Sequence, residues 1–188
     1  MLEKYFPDVI VEKVQDIDLE ALKKKGIKGL VLDIDNTLVA QFTKNASEDA
    51  KKWIQRVKDM GFLPCIVSNA SRKRVTGFNM GLDIPAIHRA YKPSPKSYMR
   101  AAMLLGIKCS EIAAVGDQIF TDIYGGNRTN MYTILVKPID KKEILFVKLK
   151  RHIERFVLFR HRRLASNKNS RLKRTRWKER SAVRHSVK

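Results

Sequence analysis

The sequence predicts an α/β protein: a central parallel sheet of about five strands with helices on both faces, followed by a basic helix and a basic tail. Three observations carry this reading. Short apolar runs alternate with stretches of helical periodicity along the first three quarters of the chain. The apolar runs are almost uninterrupted, as in strands buried on both faces rather than strands with one wet side. The helical stretches begin at capping residues and end at glycines.

The elements follow in order. "KGLVLDI" is the first strand, bounded by Gly29 and by Asn36-Thr37. "SEDAKKWIQRVKDMG" is a helix capped by Ser47, with acids in its first turn, Ala50, Trp53, Ile54 and Val57 on one face, and Gly61 as its stop. "FLPCIVSN" is the second strand, with Pro64 near its start, and "SRKRVTGFNMG" is a short helix running from Ser71 to Gly81. "PAIHRA" gives a third, short strand. "SPKSYMRAAMLLG" is a helix with Ser94 as cap, Pro95 in the first turn and Gly106 at the exit. "EIAAVGD" and "MYTILV" are the fourth and fifth strands, joined by a turn or short helix around "QIFTDIYGG".

A chain of 188 residues suits one domain with a genuine core and a tail. Cys65 and Cys109 lie in apolar surroundings without metal-ligand spacing, which reads as two reduced thiols of a cytoplasmic protein. No apolar stretch reaches the roughly 18 residues of a spanning helix, and the N-terminus lacks the apolar region of a signal peptide. The expectation is a soluble protein, or one that sits on a membrane surface. Charge is uneven: of the net +20, the segment from Lys141 onward carries +15, with 18 basic and three acidic residues. Such a segment calls for an acidic partner. The predicted organisation is an α/β domain over 1–140, a basic amphipathic helix over 141–165 and a basic, disordered tail over 166–188.

Two aspartates one residue apart, Asp33 and Asp35, close the first apolar run. Burying one carboxylate is costly unless it is paired or metal-bound. In an open α/β sheet, ligands bind outside the carboxyl ends of the strands, so polar residues ending successive strands are candidates for one site. Here these are Asp33 and Asp35, then Ser68 with Asn69, then Lys92, then Asp117, with Asp122 five residues later. The steps from 33 to 68, 92 and 117 are 35, 24 and 25 residues, each about one strand-helix unit. Each residue alone has a plainer reading: Asn36-Thr37 a turn, Ser68 a cap, Lys92 a solvated loop lysine, Asp117 a turn aspartate. Their joint order points to a site. Converging carboxylates without His or Cys call for a hard cation, and Mg²⁺ is the natural one. One aspartate would then act as a nucleophile on phosphorus. The other, on the same side by strand alternation, would trade a proton with the leaving oxygen, while Ser68, Asn69 and Lys92 hold phosphoryl oxygens. His88 reads as structural.

"DIDNTL", "VSNAS", "KPSP" and "VGDQIFTDIYGGNR" resemble the four motifs of haloacid dehalogenase-like (HAD) phosphatases. More narrowly, the stretch from "PDVIVEKVQDIDLEALKKKGIKGL" to "YTILVKPI" resembles the YqeG-like group of subfamily IIIA, which includes phosphatidylglycerophosphate phosphatases. The resemblance implies a three-layer Rossmann-like fold and a Mg²⁺-dependent phosphatase. It implies Asp33 as nucleophile, Asp35 as general acid/base, and Ser68 and Lys92 as phosphoryl contacts. Asp117 would be a metal ligand, with Asp122 in support behind it and the backbone carbonyl of Asp35 also on the metal. The short spans between motifs leave no room for a cap domain, so the site would be open to bulky substrates.

In "KKEILFVKLKRHIERFVLFRHRR", residues Leu145, Phe146, Leu149, Ile153, Phe156 and Val157 gather on about a third of the helical circle, with cations around most of the rest. Such a helix would pack on the domain or lie on a membrane surface. The tail would bind an anionic leaflet or, with steep salt dependence, nucleic-acid phosphates. The functional expectation is therefore hydrolysis of phosphatidylglycerophosphate at the inner face of the membrane. The alternative is a nucleic-acid- or ribosome-associated phosphatase whose tail binds RNA or DNA.

Overall fold

A computed structural model of the chain describes residues 2–41, 43–140, 154, 156–161 and 163. The chain divides into two compact units, Met1–Ile144 and Leu145–Lys188. The first holds a six-stranded sheet, ordered β1-β6-β5-β2-β3-β4, with every neighbouring pair parallel. Its strands are β1 (Val9–Val11), β2 (Gly29–Leu32), β3 (Leu63–Val67), β4 (Ala86–Ile87), β5 (Ile112–Gly116) and β6 (Tyr132–Val136). The helices are α1 (Leu19–Lys24), α2 (Glu48–Asp59), α3 (Arg72–Asn79), α4 (Pro95–Leu105) and α5 (Tyr124–Asn127), the last preceded by a wide π-type turn over Ile119–Ile123. In the second unit the described residues 154, 156–161 and 163 are helical. Most of the expected basic helix over 141–165, and all of the tail over 166–188, lie outside the described residues.

The sheet has one more strand than the five read from the sequence. β1 is three residues long, partly exposed, and adds to β6 at the edge through Val9↔Ile134 and Val11↔Val136. A half-wet edge strand of this length has no periodicity to announce it. The central strands alternate their side chains between two apolar layers, as the pleat requires. Leu30, Leu32, Ile66, Ala113 and Val115 join one layer with Ala50, Trp53, Ile54 and Val57 of α2. Val31, Cys65, Val67, Ile112 and Ala114 join the other with Tyr98, Ala101 and Ala102 of α4. Both cysteines are free thiols, and burial pushes Cys65 up to about 12.

Ser47 and Ser71 cap α2 and α3, accepting from the amides of Ala50 and Arg74. Ser94 precedes α4 without a side-chain capping bond, and Pro95 supplies the helical start instead. α4 ends at Gly106, whose φ of +66° is the left-handed conformation that lets the chain leave a helix. β2 is shorter than expected: it ends at Leu32, and Asp33 extends the ladder by one bond, its amide donating to the Val115 carbonyl at 3.0 Å. The chain then tightens, with the amides of Thr37, Leu38 and Val39 all directed to the Ile34 carbonyl and Asn36 at φ +61°. Asp35 thus lies beyond the end of β2, in an isolated bridge to Val39 across the turn over 36–38, so strand alternation within β2 does not set its direction.

Candidate active site

Because every strand is parallel, the residues following β2, β3, β4 and β5 emerge at one edge of the sheet. Three of them form a buried ionic knot. Lys92 Nζ donates to Asp33 Oδ1 at 2.7 Å and to Asp122 Oδ1 at 2.6 Å, and the three side chains are at most 9% exposed. A buried ammonium survives only when paired in this way. Burial alone would lower the Lys92 pKa, but the two carboxylates outweigh it and hold the ammonium charged well above the usual lysine range. Asp33 is pushed up to about 6, chiefly by burial and further by Asp122, with Lys92 pulling the other way.

The backbone of Lys92 is held as firmly as its side chain. Asn69 Oδ1 accepts from the Lys92 amide at 2.7 Å, and Asn69 Nδ2 donates to the Lys92 carbonyl at 3.3 Å. Asn69, read as a phosphate contact, thus orients the residue that carries the charge. Ser68, 2% exposed, sits at the end of β3, and its Oγ accepts from the Ala70 amide at 3.2 Å. Its own hydroxyl hydrogen remains available to a phosphoryl oxygen.

Asp122 is fixed on its second oxygen too, Oδ2 accepting from the Gln118 amide at 3.1 Å and from Thr121 Oγ1 at 3.3 Å. Gly116 makes room for it. A Cβ at position 116 would lie 2.2 Å from Asp122 Cγ, far inside contact distance. The turn carrying Asp122 is braced by Tyr98 of α4, whose hydroxyl donates to the carbonyls of Thr121 at 3.1 Å and Asp122 at 3.4 Å. Gly125 in turn admits the Tyr98 ring.

Asp33, Asp117 and Asp122 each offer a carboxylate oxygen within 4.8 Å of one another, all three buried. Among the described residues these three carboxylates form an all-oxygen donor set, which fits a hard divalent cation such as Mg²⁺. Both oxygens of Asp122 already accept hydrogen bonds, Oδ1 from Lys92 and Oδ2 from Gln118 and Thr121. The side chain of Asp35 is not among these acids. It turns to Arg74, whose Nη2 donates to Asp35 Oδ1 at 2.8 Å, with the carboxylate 30% exposed. The structure thus gathers Asp33, Lys92, Asp117 and Asp122 into one cluster, with Ser68 and Asn69 following β3 on the same edge.

Sequence reasoning passed over Tyr98 and Arg74. Tyr98 reads as an ordinary apolar-face residue of α4. Arg74 had a signal: "SRKR" places three cations in the first turn of a helix, where the dipole favours anions.

Comparison with known proteins agrees with this geometry. Residues 2–140 match the model of the family described as mitochondrial PGP phosphatase. The chain is 38% identical over 159 residues to the "Probable phosphatase YqeG" of Bacillus subtilis, covering 84% of this chain and 92% of that protein. It is 32% identical over 152 residues to the chloroplastic/mitochondrial phosphatidylglycerophosphate phosphatase 1 of Arabidopsis thaliana, covering 75% of this chain but only 43% of that one. Among solved structures, the cobalt-bound deoxy-D-mannose-octulosonate 8-phosphate phosphatase of Haemophilus influenzae shares the fold. Its TM-score is 0.50 at 14% identity, over 61% of this chain and 70% of that one. The family match spans residues 2–140 and the Bacillus relative most of both chains, so this protein, with its buried Asp-Lys-Asp knot at the carboxyl edge of a parallel sheet, belongs to the PGP phosphatase family.

Proposed function

We propose that the protein hydrolyses phosphomonoesters through a phospho-Asp33 intermediate with Mg²⁺, and that its substrate is phosphatidylglycerophosphate, converted to phosphatidylglycerol at the cytoplasmic face of a membrane. The observation that carries the catalytic part is the Lys92 ammonium shared between Asp33 and Asp122. Asp33 is the nucleophile, held in place by its backbone bond to β5. Lys92 has three hydrogens and spends two on carboxylates, so the third is free for a phosphoryl oxygen, beside the hydroxyl of Ser68. Asp35 protonates the leaving oxygen and later accepts a proton from water. Asp33 and Asp117, with the Asp35 carbonyl, would hold Mg²⁺, which when bound offsets the phosphoryl charge.

The substrate reading is supported by the family and by the name of the Arabidopsis thaliana relative. An uncapped site agrees with it: among the described residues, one helix lies between β2 and β3 and one between β3 and β4. No described helix is long and apolar enough to cross a membrane. A membrane surface is supported by α4, which exposes Met99, Met103 and Leu104 (53%, 81% and 51%) interleaved with the exposed cations Lys96 and Arg100. The basic segment beyond Lys141 adds to this attraction.

The test is Mg²⁺-dependent phosphate release from phosphatidylglycerophosphate in mixed micelles, phosphatidic acid and a 5′-phosphorylated oligonucleotide, with Asp33→Asn as control. Preference for the first supports the lipid reading. Preference for the oligonucleotide overturns it in favour of a nucleic-acid phosphatase.

A further inference from the structure

Helix α3 opens with Arg72, Lys73 and Arg74 at a pole that favours anions. Arg72 and Lys73 point into solvent, whereas the Arg74 side chain folds back and is 17% exposed. Three contacts fix its guanidinium. Nη2 donates to Asp35 Oδ1 at 2.8 Å, Nη1 donates to the Lys44 carbonyl at 2.9 Å, and Cζ lies 5.7 Å from the ring centroid of Phe78, one turn along the same helix. Phe78 is fully buried, so the ring cannot yield. The planar fork therefore bridges α3, the segment before α2 and the Asp35 turn. The ion pair is partly exposed and contributes little by itself, and a cation at a helix start is unfavourable.

We infer that Arg74 is the positioning residue of the proton-transfer steps: by taking Asp35 Oδ1 it presents Oδ2 to the leaving oxygen and then to water. This rests on the reading of Asp35 as general acid/base. In the first step the bond from Asp33 oxygen to phosphorus forms, the bond from phosphorus to the leaving oxygen breaks, and that oxygen takes the proton from Asp35. In the second, water oxygen attacks phosphorus, its proton passes to Asp35, and the bond to Asp33 breaks, releasing phosphate. Both steps need one carboxylate oxygen at a fixed place, and the Asp35 side chain lies beyond the end of β2, where Arg74 fixes its Oδ1. Lysine could not replace the fork, since a single Nζ has no geometry to span Asp35 and the Lys44 carbonyl together.

The experiment compares glycerol 3-phosphate, whose alkoxide leaves only with a proton, with p-nitrophenyl phosphate, whose phenolate leaves without one. The proteins are wild type, Arg74→Ala, Arg74→Lys, Asp35→Asn and the Arg74→Ala/Asp35→Asn double variant, each checked by circular dichroism for native helix content. kcat/KM reports steps up to loss of the leaving group. For Arg74→Ala it is expected to fall about tenfold to a hundredfold with the alkyl ester and less than about threefold with the aryl ester. Its kcat falls with both esters, because water attack still needs the base. Arg74→Lys lies between, and the double variant is no worse than Asp35→Asn. Equal losses of kcat/KM on the two esters in Arg74→Ala, while Asp35→Asn separates them, overturn the role of Arg74 alone. If Asp35→Asn fails to separate the esters, the acid/base reading falls and this inference with it.

Discussion

Gly116→Ala isolates the support of the lysine from the lysine itself. The new Cβ would lie 2.2 Å from Asp122 Cγ, 2.4 Å from its Cβ and 2.5 Å from Oδ2. Carbon atoms in contact stay about 3.5–4.0 Å apart, so the Asp122 side chain must move by more than 1 Å. A shift of that size breaks the 2.6 Å bond to Lys92 and the two bonds on Oδ2. Breaking a buried ion pair costs about 3–5 kcal/mol. Lys92 would keep Asp33 but lose the second anchor that aims it, and misplacing such a donor lowers turnover by roughly a hundredfold. Gly126→Ala serves as the control. Its Cβ would press on Thr133 Cγ2 at 2.8 Å and Ala114 Cβ at 2.9 Å, touching none of Asp33, Asp117 and Asp122, for about 1–3 kcal/mol of overpacking. Urea denaturation gives the stabilities, and phosphate release from p-nitrophenyl phosphate, measured well below both melting temperatures, gives the rates. The expected pattern is loss of both quantities in Gly116→Ala and of stability alone in Gly126→Ala. Wild-type turnover in Gly116→Ala would refute the claim that Asp122 aims Lys92.

Lys92→Met, which removes the ammonium and leaves Asp33 and Asp122 buried together, should abolish detectable turnover and destabilise the protein by about 3–5 kcal/mol near neutral pH, by urea denaturation. Tyr98→Phe removes two hydrogen bonds to the Asp122 turn and should cost about 1 kcal/mol and severalfold in kcat, with little change in KM. Metal-free protein should lose stability as pH rises. The Asp33 carboxyl is raised from 3.8 to about 6, so its contribution is fully present below 3.8 and lost as pH passes through about 6. Denaturation at pH 5 and 7 without metal should show this loss in wild type but not in Asp33→Asn, and Mg²⁺ should restore stability at pH 7.

Much of the site could be read from the chain because a parallel sheet gathers its strand ends at one edge. Asp33, Ser68, Lys92 and Asp117 needed only a strand-helix count between them. Their hydrogen-bonded partners were less legible. Asp122 was placed as a support for a metal ligand, yet its direct partner is Lys92, a pairing across 30 residues that no local pattern shows. Tyr98 carries its function in one hydroxyl at the end of a buried ring, so burial explains the residue without remainder. Asp35 was assigned to one face by strand alternation, but β2 stops at Leu32 and the turn that follows decides its direction. Arg74 shows the reverse case: local electrostatics argued against it, and that misfit was the available clue. β1 escaped because three half-exposed residues at a sheet edge bury too little to impose a pattern.

The most direct test of the account is to mix enzyme, Mg²⁺ and p-nitrophenyl phosphate, quench in acid within a turnover, and map the modified peptide by mass spectrometry. Phosphoryl transfer to Asp33 requires the added mass of one phosphoryl group on that residue in wild type, with no such adduct and no turnover in Asp33→Asn. Turnover in Asp33→Asn at the wild-type rate, or a phosphoryl group on another residue, would contradict it.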